Sequence, residues 1–197
     1  MGIHPMCDAT TARSVGRIGS QWSVHPRRRR PYLLRGHRTG EPIVLLHGGM
    51  CTAETFDAQT AALAEHYGVY VPERRGHGRT PDVPGPLTYE HHGADTIAFL
   101  EAIDVGPVDL VGWSDGAAIA MLVAWRRPDL LRRLVYIGQN LTVDGLRPAF
   151  RAMLGGLGVE HLPPMLAELY AAVSPDGPEH FVDVFRPARR ASRTRIN

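Results

Sequence analysis

The stretch that decides the fold reads Pro107-Val-Asp-Leu-Val111, then Gly112-Trp-Ser-Asp-Gly116, then Ala117-Ala-Ile-Ala-Met-Leu-Val-Ala-Trp-Arg-Arg127. A short apolar run passes through a G-x-S-x-G turn into a segment crowded with small residues. Gly112 and Gly116 lie two positions before and after Ser114, where the backbone passes close to itself and a side chain would fill the space. The pattern predicts a strand, a sharp turn that strains the backbone at Ser114, and a helix close to a sheet.

Size and composition indicate an ordinary globular protein. The chain has 197 residues, enough for one domain with a substantial core and too few for two large ones. Its 44% hydrophobic and 21% charged residues are typical of soluble domains. The two cysteines, Cys7 and Cys51, indicate no disulfide framework, and no apolar run approaches the about 20 residues that cross a bilayer. We therefore expect a cytoplasmic protein without a membrane partner.

Charge is strongly segregated along the chain. Residues 1–40 carry eight Arg and one acidic residue, residues 186–197 carry five Arg and no acidic residue, and the remaining segment carries nine Arg and 19 acidic residues. The sequence predicts a basic, disordered extension over 1–30 and a basic tail foreign to the fold over 186–197. Neither end contains interleaved aromatic residues or a nucleic-acid-binding module, so a nucleic-acid partner is not expected.

Apolar and amphipathic segments alternate on both sides of the G-x-S-x-G turn. The patterns predict strands at residues 32–34 (an edge strand), 43–46, 69–71, 107–111 and 134–138, and helices at 56–64, from Thr88 onward, at 146–157 and at 160–173. Residues 181–185 fit either a strand or a helix. Strands that alternate with helices at this spacing indicate an α/β domain with a mostly parallel sheet flanked by helices.

Two further motifs follow predicted strands in a suitable order. His47-Gly-Gly49 comes directly after residues 43–46, and Arg75-Gly-His-Gly78 comes after residues 69–71. Together with Gly112-Trp-Ser-Asp-Gly116 they resemble the α/β-hydrolase fold, specifically the branch of small serine esterases and peroxidase-like enzymes with a helical cap. The resemblance covers roughly residues 40–185, and implies a core over 31–138 and a cap segment over 139–185. The chain departs from the usual family pattern at Glu73, where Asp is commoner.

The chemistry implied by the resemblance is acyl transfer. Ser114 would attack the carbonyl of a small carboxylic ester or related acyl substrate. The negative oxygen of the tetrahedral intermediate would lie in an oxyanion hole made by backbone N–H groups of Asp115 and of Gly49 or Met50. No cofactor and no metal is implied. His47 is expected to orient the loop rather than to transfer protons.

A serine nucleophile needs a base that takes its proton and an acid that orients the base. In the family the resemblance suggests, the chain order is Ser, acid, His. The histidines after Ser114 are His161 and His180, both in segments interpreted as cap, and the loop acid is Asp144. These three are the candidate partners of Ser114.

The sequence after Gly138 does not resemble the final two strands of the fold. We therefore expect a C-terminally truncated or frame-shifted chain, whose last remaining strand is an open edge that permits self-association. Two function classes follow: a serine hydrolase, whose activity in this chain is open, or a non-catalytic protein that keeps a pocket for a small ligand. Labelling of Ser114 by a fluorophosphonate distinguishes them.

Overall fold

Six strands form one sheet in the computed structural model, which describes residues 22–25, 32–37, 40–140, 145 and 147–185. In chain order the strands are β1 (Trp22–His25), β2 (Tyr32–His37), β3 (Glu41–Leu46), β4 (Tyr67–Pro72), β5 (Val108–Trp113) and β6 (Leu131–Ile137). Across the sheet their order is β1-β2-β4-β3-β5-β6.

Four neighbouring strands, β4, β3, β5 and β6, run parallel, whereas β2 is antiparallel to both β1 and β4. The parallel strands are joined through the helices α1 (Asp57–Leu63), α2 (Tyr89–Ile103) and α3 (Asp115–Arg126). The prediction of an α/β domain with a mostly parallel sheet is confirmed. Because Leu46 pairs with Gly112, the ends of β3 and β5 lie side by side.

The antiparallel end of the sheet differs from the sequence-based prediction. β1 lies within the segment 1–30, for which the pattern predicts no element, and β2 pairs with a strand on each side instead of forming an edge. A four-residue strand is too short to show a clear alternation of apolar and polar side chains. Backbone hydrogen bonds hold it beside its partner strand, and these leave no pattern in the sequence.

Both faces of β3, in the middle of the parallel strands, are buried. Val44 and Leu46 of β3 point into one apolar cluster beneath α2 and α3, which includes Phe99 and Ile119. The alternating residues of β3 point into a second cluster on the other face, closed by Phe56. A strand covered on both faces must be apolar at successive positions, which explains the continuous run 43–46.

Helix α2 begins where the sequence predicts. The hydroxyl oxygen of Thr88 accepts a hydrogen bond from the backbone N–H of His91 (3.2 Å), which satisfies one of the free donors of the first turn. Leu100 and Ile103 on the apolar face of α2 are buried. The N-cap at Thr88 is thus confirmed.

The segment after β6 contributes α4 (Pro148–Gly156), α5 (Pro164–Val173) and a final helical segment over 181–185. Tyr170 of α5 packs with Phe181 and with Leu87 in a third apolar cluster, against which Met50 is packed. This segment therefore contacts the loop after β3. In the described part of the chain, no helix combines the length and apolarity needed to cross a membrane.

Strand β6 is the outermost strand of the described sheet on its side, and its apolar side chains are incompletely covered. Val135 is 45% exposed and Ile137 is 44% exposed. Self-association through this edge stays a prediction. We expect the mean mass in sedimentation experiments to rise with protein concentration.

Val135→Lys is expected to weaken this association at least about tenfold, because a lysine on an edge strand opposes pairing with another strand. Met165→Lys, on the exposed face of α5, is the matched control and should leave it unchanged. A monomer at every concentration, with one concentration-independent thermal transition, would contradict the prediction.

Candidate active site

The turn between β5 and α3 places Ser114 in a strained conformation. Ser114 has φ 55° and ψ −122°, a region that residues with a side chain rarely occupy and that costs about 1–3 kcal/mol. Its backbone N–H donates to the carbonyl of Ile137 (2.9 Å), and its carbonyl accepts from the N–H of Ala117 (2.8 Å). The predicted sharp turn at Ser114 is confirmed, and the first bond ties it to the end of β6.

The two glycines of the turn have separate steric tasks. A Cβ on Gly112 would lie 2.6 Å from the Cα of Ala117 and closer still to the carbonyl of Gly116, as the spacing predicts. A Cβ on Gly116 would collide with the carbonyl of Leu46 and lie 2.7 Å from that of His47. Gly116 therefore allows α3 to approach the end of β3, a contact between distant parts of the chain.

The loop after β3 lies directly against this turn. A Cβ on Gly48 would lie 3.4 Å from the Cβ of Ser114 and 2.9 Å from the ring of Trp113. The next two residues are Gly49 and Met50, and Met50 takes a positive φ of 59°. The structure thus brings the loop that carries Gly49 and Met50 beside Ser114, and their oxyanion-hole role stays a prediction.

Asp115 begins α3, and its side chain is fixed by a residue that sequence reasoning missed. The hydroxyl of Tyr89, on α2, donates to a carboxylate oxygen of Asp115 (2.7 Å). Burial of Tyr89, and secondarily the Asp115 charge, raise the pKa of its phenol. The tyrosine is therefore a neutral donor at ordinary pH and holds the carboxylate, while the backbone N–H of Asp115 lies at the start of a helix, where negative charge is stabilised.

The turn after β4 is hydrogen-bonded to the segment that follows β3. The buried carboxylate of Glu73 accepts from the backbone N–H groups of Ala53 (3.1 Å) and Arg79 (2.8 Å), and pairs with the Arg79 guanidinium (3.0 Å). Burial raises the pKa of Glu73. Glu73 thus ties Ala53, in the segment after β3, to this turn.

Arg74, the next residue, is buried and contacts the same loop. Its guanidinium donates to the carbonyls of His47 (2.7 Å) and Gly48 (2.7 Å). Burial lowers the pKa of this guanidinium. Arg75, which belongs to the recognised motif, instead forms a two-pronged ion pair with Asp95 of α2. No sequence pattern singled out Arg74.

Three buried histidines surround Arg74. The ring of His77 lies 5.4 Å from that of His47 and 5.9 Å from that of His92, centroid to centroid. Burial, and then the Arg74 charge, hold the pKa of all three well below the usual value. Among the described residues, no group of three or more His, Cys, Asp or Glu side chains is arranged to hold a metal ion.

His47 uses both ring nitrogens to fix the loop. Its Nδ1–H donates to the carbonyl of Gly48 (2.8 Å), and its Nε2 accepts from the backbone N–H of Arg74 (3.4 Å). These contacts agree with the expectation that His47 orients the loop.

The candidate base and acid are placed as follows. His161 is exposed, and its Nδ1 accepts from the N–H of Gly158 (2.9 Å). His180 lies between two carboxylates, with Nε2 3.2 Å from Asp82 and Nδ1 3.7 Å from Asp183. Asp144 lies outside the described residues. Within residues 40–140 and 147–185 no hydrogen bond joins either histidine to the Ser114 hydroxyl, and the base and acid roles stay predictions.

About half of the chain is similar in sequence to other proteins. The chain is 38% identical over 105 residues to ethanol acetyltransferase 1 of Wickerhamomyces ciferrii, a match that covers 52% of this chain and 26% of that protein. It is 32% identical over 98 residues to (E)-2-((N-methylformamido)methylene)succinate hydrolase of Acinetobacter baylyi, covering 50% of this chain and 37% of that protein. The chain spans only part of the length of these curated relatives.

The fold is shared with solved structures. A hydrolase from Pseudomonas aeruginosa PA01 superposes with a TM-score of 0.64 at 22% identity, covering 88% of this chain and 74% of that one. Residues 43–196 match the family model described as the alpha/beta hydrolase family, a range that includes most of the Arg-rich segment 186–197. The strained turn at Ser114, the loop after β3 and the parallel sheet that joins them agree with this match, and the chain belongs to the α/β-hydrolase family.

Proposed function

We propose that the protein is a serine hydrolase of this family, with Ser114 as nucleophile and a small carboxylic ester or a related acyl compound as substrate. The observation that carries the proposal is the strained backbone of Ser114 (φ 55°) beside the loop after β3, where Gly48 approaches the serine Cβ. A side chain held on such a turn is exposed to substrate at the end of the sheet, and the adjacent loop supplies backbone donors.

In the proposed reaction the Ser114 hydroxyl oxygen attacks the substrate carbonyl carbon, and a base takes the hydroxyl proton. The carbonyl π bond opens, and the negative oxygen accepts hydrogen bonds from the N–H of Asp115 and of Gly49 or Met50. Each such donor stabilises the transition state by roughly 3 kcal/mol. Expulsion of the alcohol, which takes up the proton, leaves an acyl-serine that water hydrolyses to the carboxylic acid.

The relatives support acyl chemistry at the level of the family. One is named as an acetyltransferase of ethanol and another as a hydrolase of an amidomethylene succinate. Both names describe enzymes, and the first describes transfer of an acyl group. The proposal places this chain among such enzymes, with water as the acyl acceptor.

Labelling with a fluorophosphonate tests the proposal. We expect the folded protein to gain one phosphonyl group at Ser114, located by peptide mass spectrometry, because an activated serine displaces the fluoride. Ser114→Ala should lower the labelling rate at least about a hundredfold. Ser174→Ala, which removes a serine just after α5, is the matched control and should be labelled as the parent is.

A non-catalytic role in binding a small ligand is the second candidate. It is favoured by the contacts of the two candidate bases. His161 contacts Gly158 and His180 contacts Asp82, and within the described part of the chain neither is hydrogen-bonded to Ser114. A folded protein that binds a short-chain ester analogue but remains unlabelled at Ser114 would support this role and contradict the hydrolase proposal.

A further inference from the structure

Arg74 is a buried cation that the proposed reaction does not use. Its guanidinium is bound by two successive backbone carbonyls, those of His47 and Gly48, each 2.7 Å from a different terminal nitrogen. A buried charge is costly unless polar groups surround it. The loop after β3 therefore binds both terminal nitrogens of Arg74, and in return Arg74 fixes the direction of two adjacent peptide groups.

The direction of these peptides determines where their N–H groups point. In a trans peptide the carbonyl and the following N–H point in opposite directions. With the carbonyls of His47 and Gly48 turned toward Arg74, the N–H groups of Gly48 and Gly49 point away from it. Successive N–H groups that face the same side, followed by a residue with positive φ such as Met50, are typical of an anion-binding concavity.

This concavity lies beside the candidate nucleophile. A Cβ built at Gly48 would lie 3.4 Å from the serine Cβ, so the loop passes close to Ser114. Arg74 thus contacts the loop through its carbonyls, and Ser114 lies beside Gly48 of the same loop. Hydrogen bonds in series polarise one another in a low-dielectric interior, so the guanidinium charge also strengthens the donor on the far side of the peptide.

Arg74 also offsets a nearby negative charge. The carboxylate of Asp115, directly after Ser114, attracts the Arg74 guanidinium and is hydrogen-bonded by Tyr89. Without the guanidinium, this carboxylate would oppose any anion that forms next to Ser114. The orientation of the loop N–H groups and the positive charge of Arg74 therefore both favour an anion beside Ser114.

We propose that Arg74 is a positioning residue, which holds the His47–Gly48 backbone so that Gly49 presents its N–H group to an anion beside Ser114 before substrate arrives. The ligand class is a carboxylate or a tetrahedral oxyanion. This inference rests on the proposed function for its catalytic meaning, but the anion site itself can be tested without a nucleophile.

The test uses the full chain with Ser114→Ala, which is the parent in these titrations; it is titrated with butyrate and followed through the ¹⁵N–¹H resonances of Gly48 and Gly49. The parent is expected to show saturable shifts at both amides. Adding Arg74→Gln should weaken butyrate binding about tenfold, because the donors remain but lose their fixed direction. Arg74→Lys should be intermediate, since lysine keeps the charge but cannot bridge two carbonyls as a planar fork does.

Arg75→Gln is the matched control. It removes a buried cation from the same turn and breaks the ion pair with Asp95, but does not touch the carbonyls of the loop. Its folded fraction should bind butyrate within about twofold of the parent, as expected for a merely structural change. Equal losses in Arg74→Gln and Arg75→Gln would overturn the proposal.

Other outcomes are equally decisive. The absence of saturable shifts in the parent, or unchanged affinity in folded Arg74→Gln, overturns the proposal. If Arg74→Gln does not fold, Arg74→Lys decides: weaker binding supports it and parental binding overturns it. Failure of the proposed function is separately visible as a lack of fluorophosphonate labelling at Ser114 while the dependence of butyrate binding on Arg74 persists.

Discussion

Gly116→Ala is expected to lower the free energy of unfolding by at least about 3 kcal/mol, although alanine is the better helix former. Replacing a helical glycine by alanine ordinarily stabilises a protein by about 0.5–1 kcal/mol. At this position the new Cβ would overlap the backbone carbonyl of Leu46 and crowd that of His47. Backbone atoms of a central strand cannot rotate away, so the steric cost exceeds the gain in helix propensity.

The measurement is urea unfolding followed by circular dichroism, together with a thermal scan. For a chain of this size the expected loss corresponds to a fall of about 6–12 °C in Tm. Gly156→Ala is the matched control, because Gly156 ends α4 and a Cβ there meets no atom within 4 Å. Its stability should be within about 1 kcal/mol of the parent. Equal midpoints for Gly116→Ala and the parent would show that α3 is free to move off β3.

Acid is expected to destabilise the fold steeply below about pH 6.5. The pKa values of His47, His77 and His92 are held well below the ordinary value by burial and by Arg74. All three are neutral in both the folded and unfolded states above that pH, and contribute no pH dependence there. As the pH falls below about 6.5, the three histidines bind protons in the unfolded chain but not in the folded chain, which favours unfolding.

The sign for Glu73 is opposite. Burial raises its pKa, so the folded state holds a proton at a pH where the unfolded carboxyl has released it, and this partly offsets the loss. One proton of difference contributes about 1.4 kcal/mol per pH unit. With three histidines and the opposing glutamate, we expect the free energy of unfolding to fall by between about 3 and 4 kcal/mol per pH unit in the steepest part.

Urea unfolding at closely spaced pH values between 5 and 8 measures this slope. His92→Gln should reduce this slope by about 1.4 kcal/mol per pH unit, the contribution of one proton, because His92 is buried on the core side of α2. His91→Gln, the same substitution at the adjacent and exposed position of α2, is the matched control with which the slope of His92→Gln is compared. Stability that stays constant from pH 7 to pH 5.5 would contradict the prediction.

Local patterns predicted most of the parallel half of the molecule. A strand was predicted at residues 43–46 because a strand covered on both faces must be continuously apolar. Thr88 was predicted as an N-cap because the capping hydrogen bond spans three residues. The turn at Ser114 was predicted because the chemistry of G-x-S-x-G is contained within five residues. Signals of this kind survive in the sequence because the interactions behind them are local.

The antiparallel strands and the surroundings of Ser114 were harder to predict. β1 pairs with β2 across a segment with no periodicity, and Tyr89 reaches Asp115 across 26 positions of sequence. Arg74 contacts carbonyls 26 and 27 positions earlier in the chain. Backbone carbonyls carry no side-chain signature, so no motif could mark Arg74 as their partner.

The sequence by itself determined the family, the strained turn at Ser114 and the alternation of strands with helices, because each depends on contacts between near neighbours in the chain. Only the tertiary structure decided what lies behind the loop after β3: a buried guanidinium, three neutral histidines and a carboxylate held by Tyr89. These groups meet because parallel strands end at one edge of the sheet, which brings the turns that follow β3, β4 and β5 together.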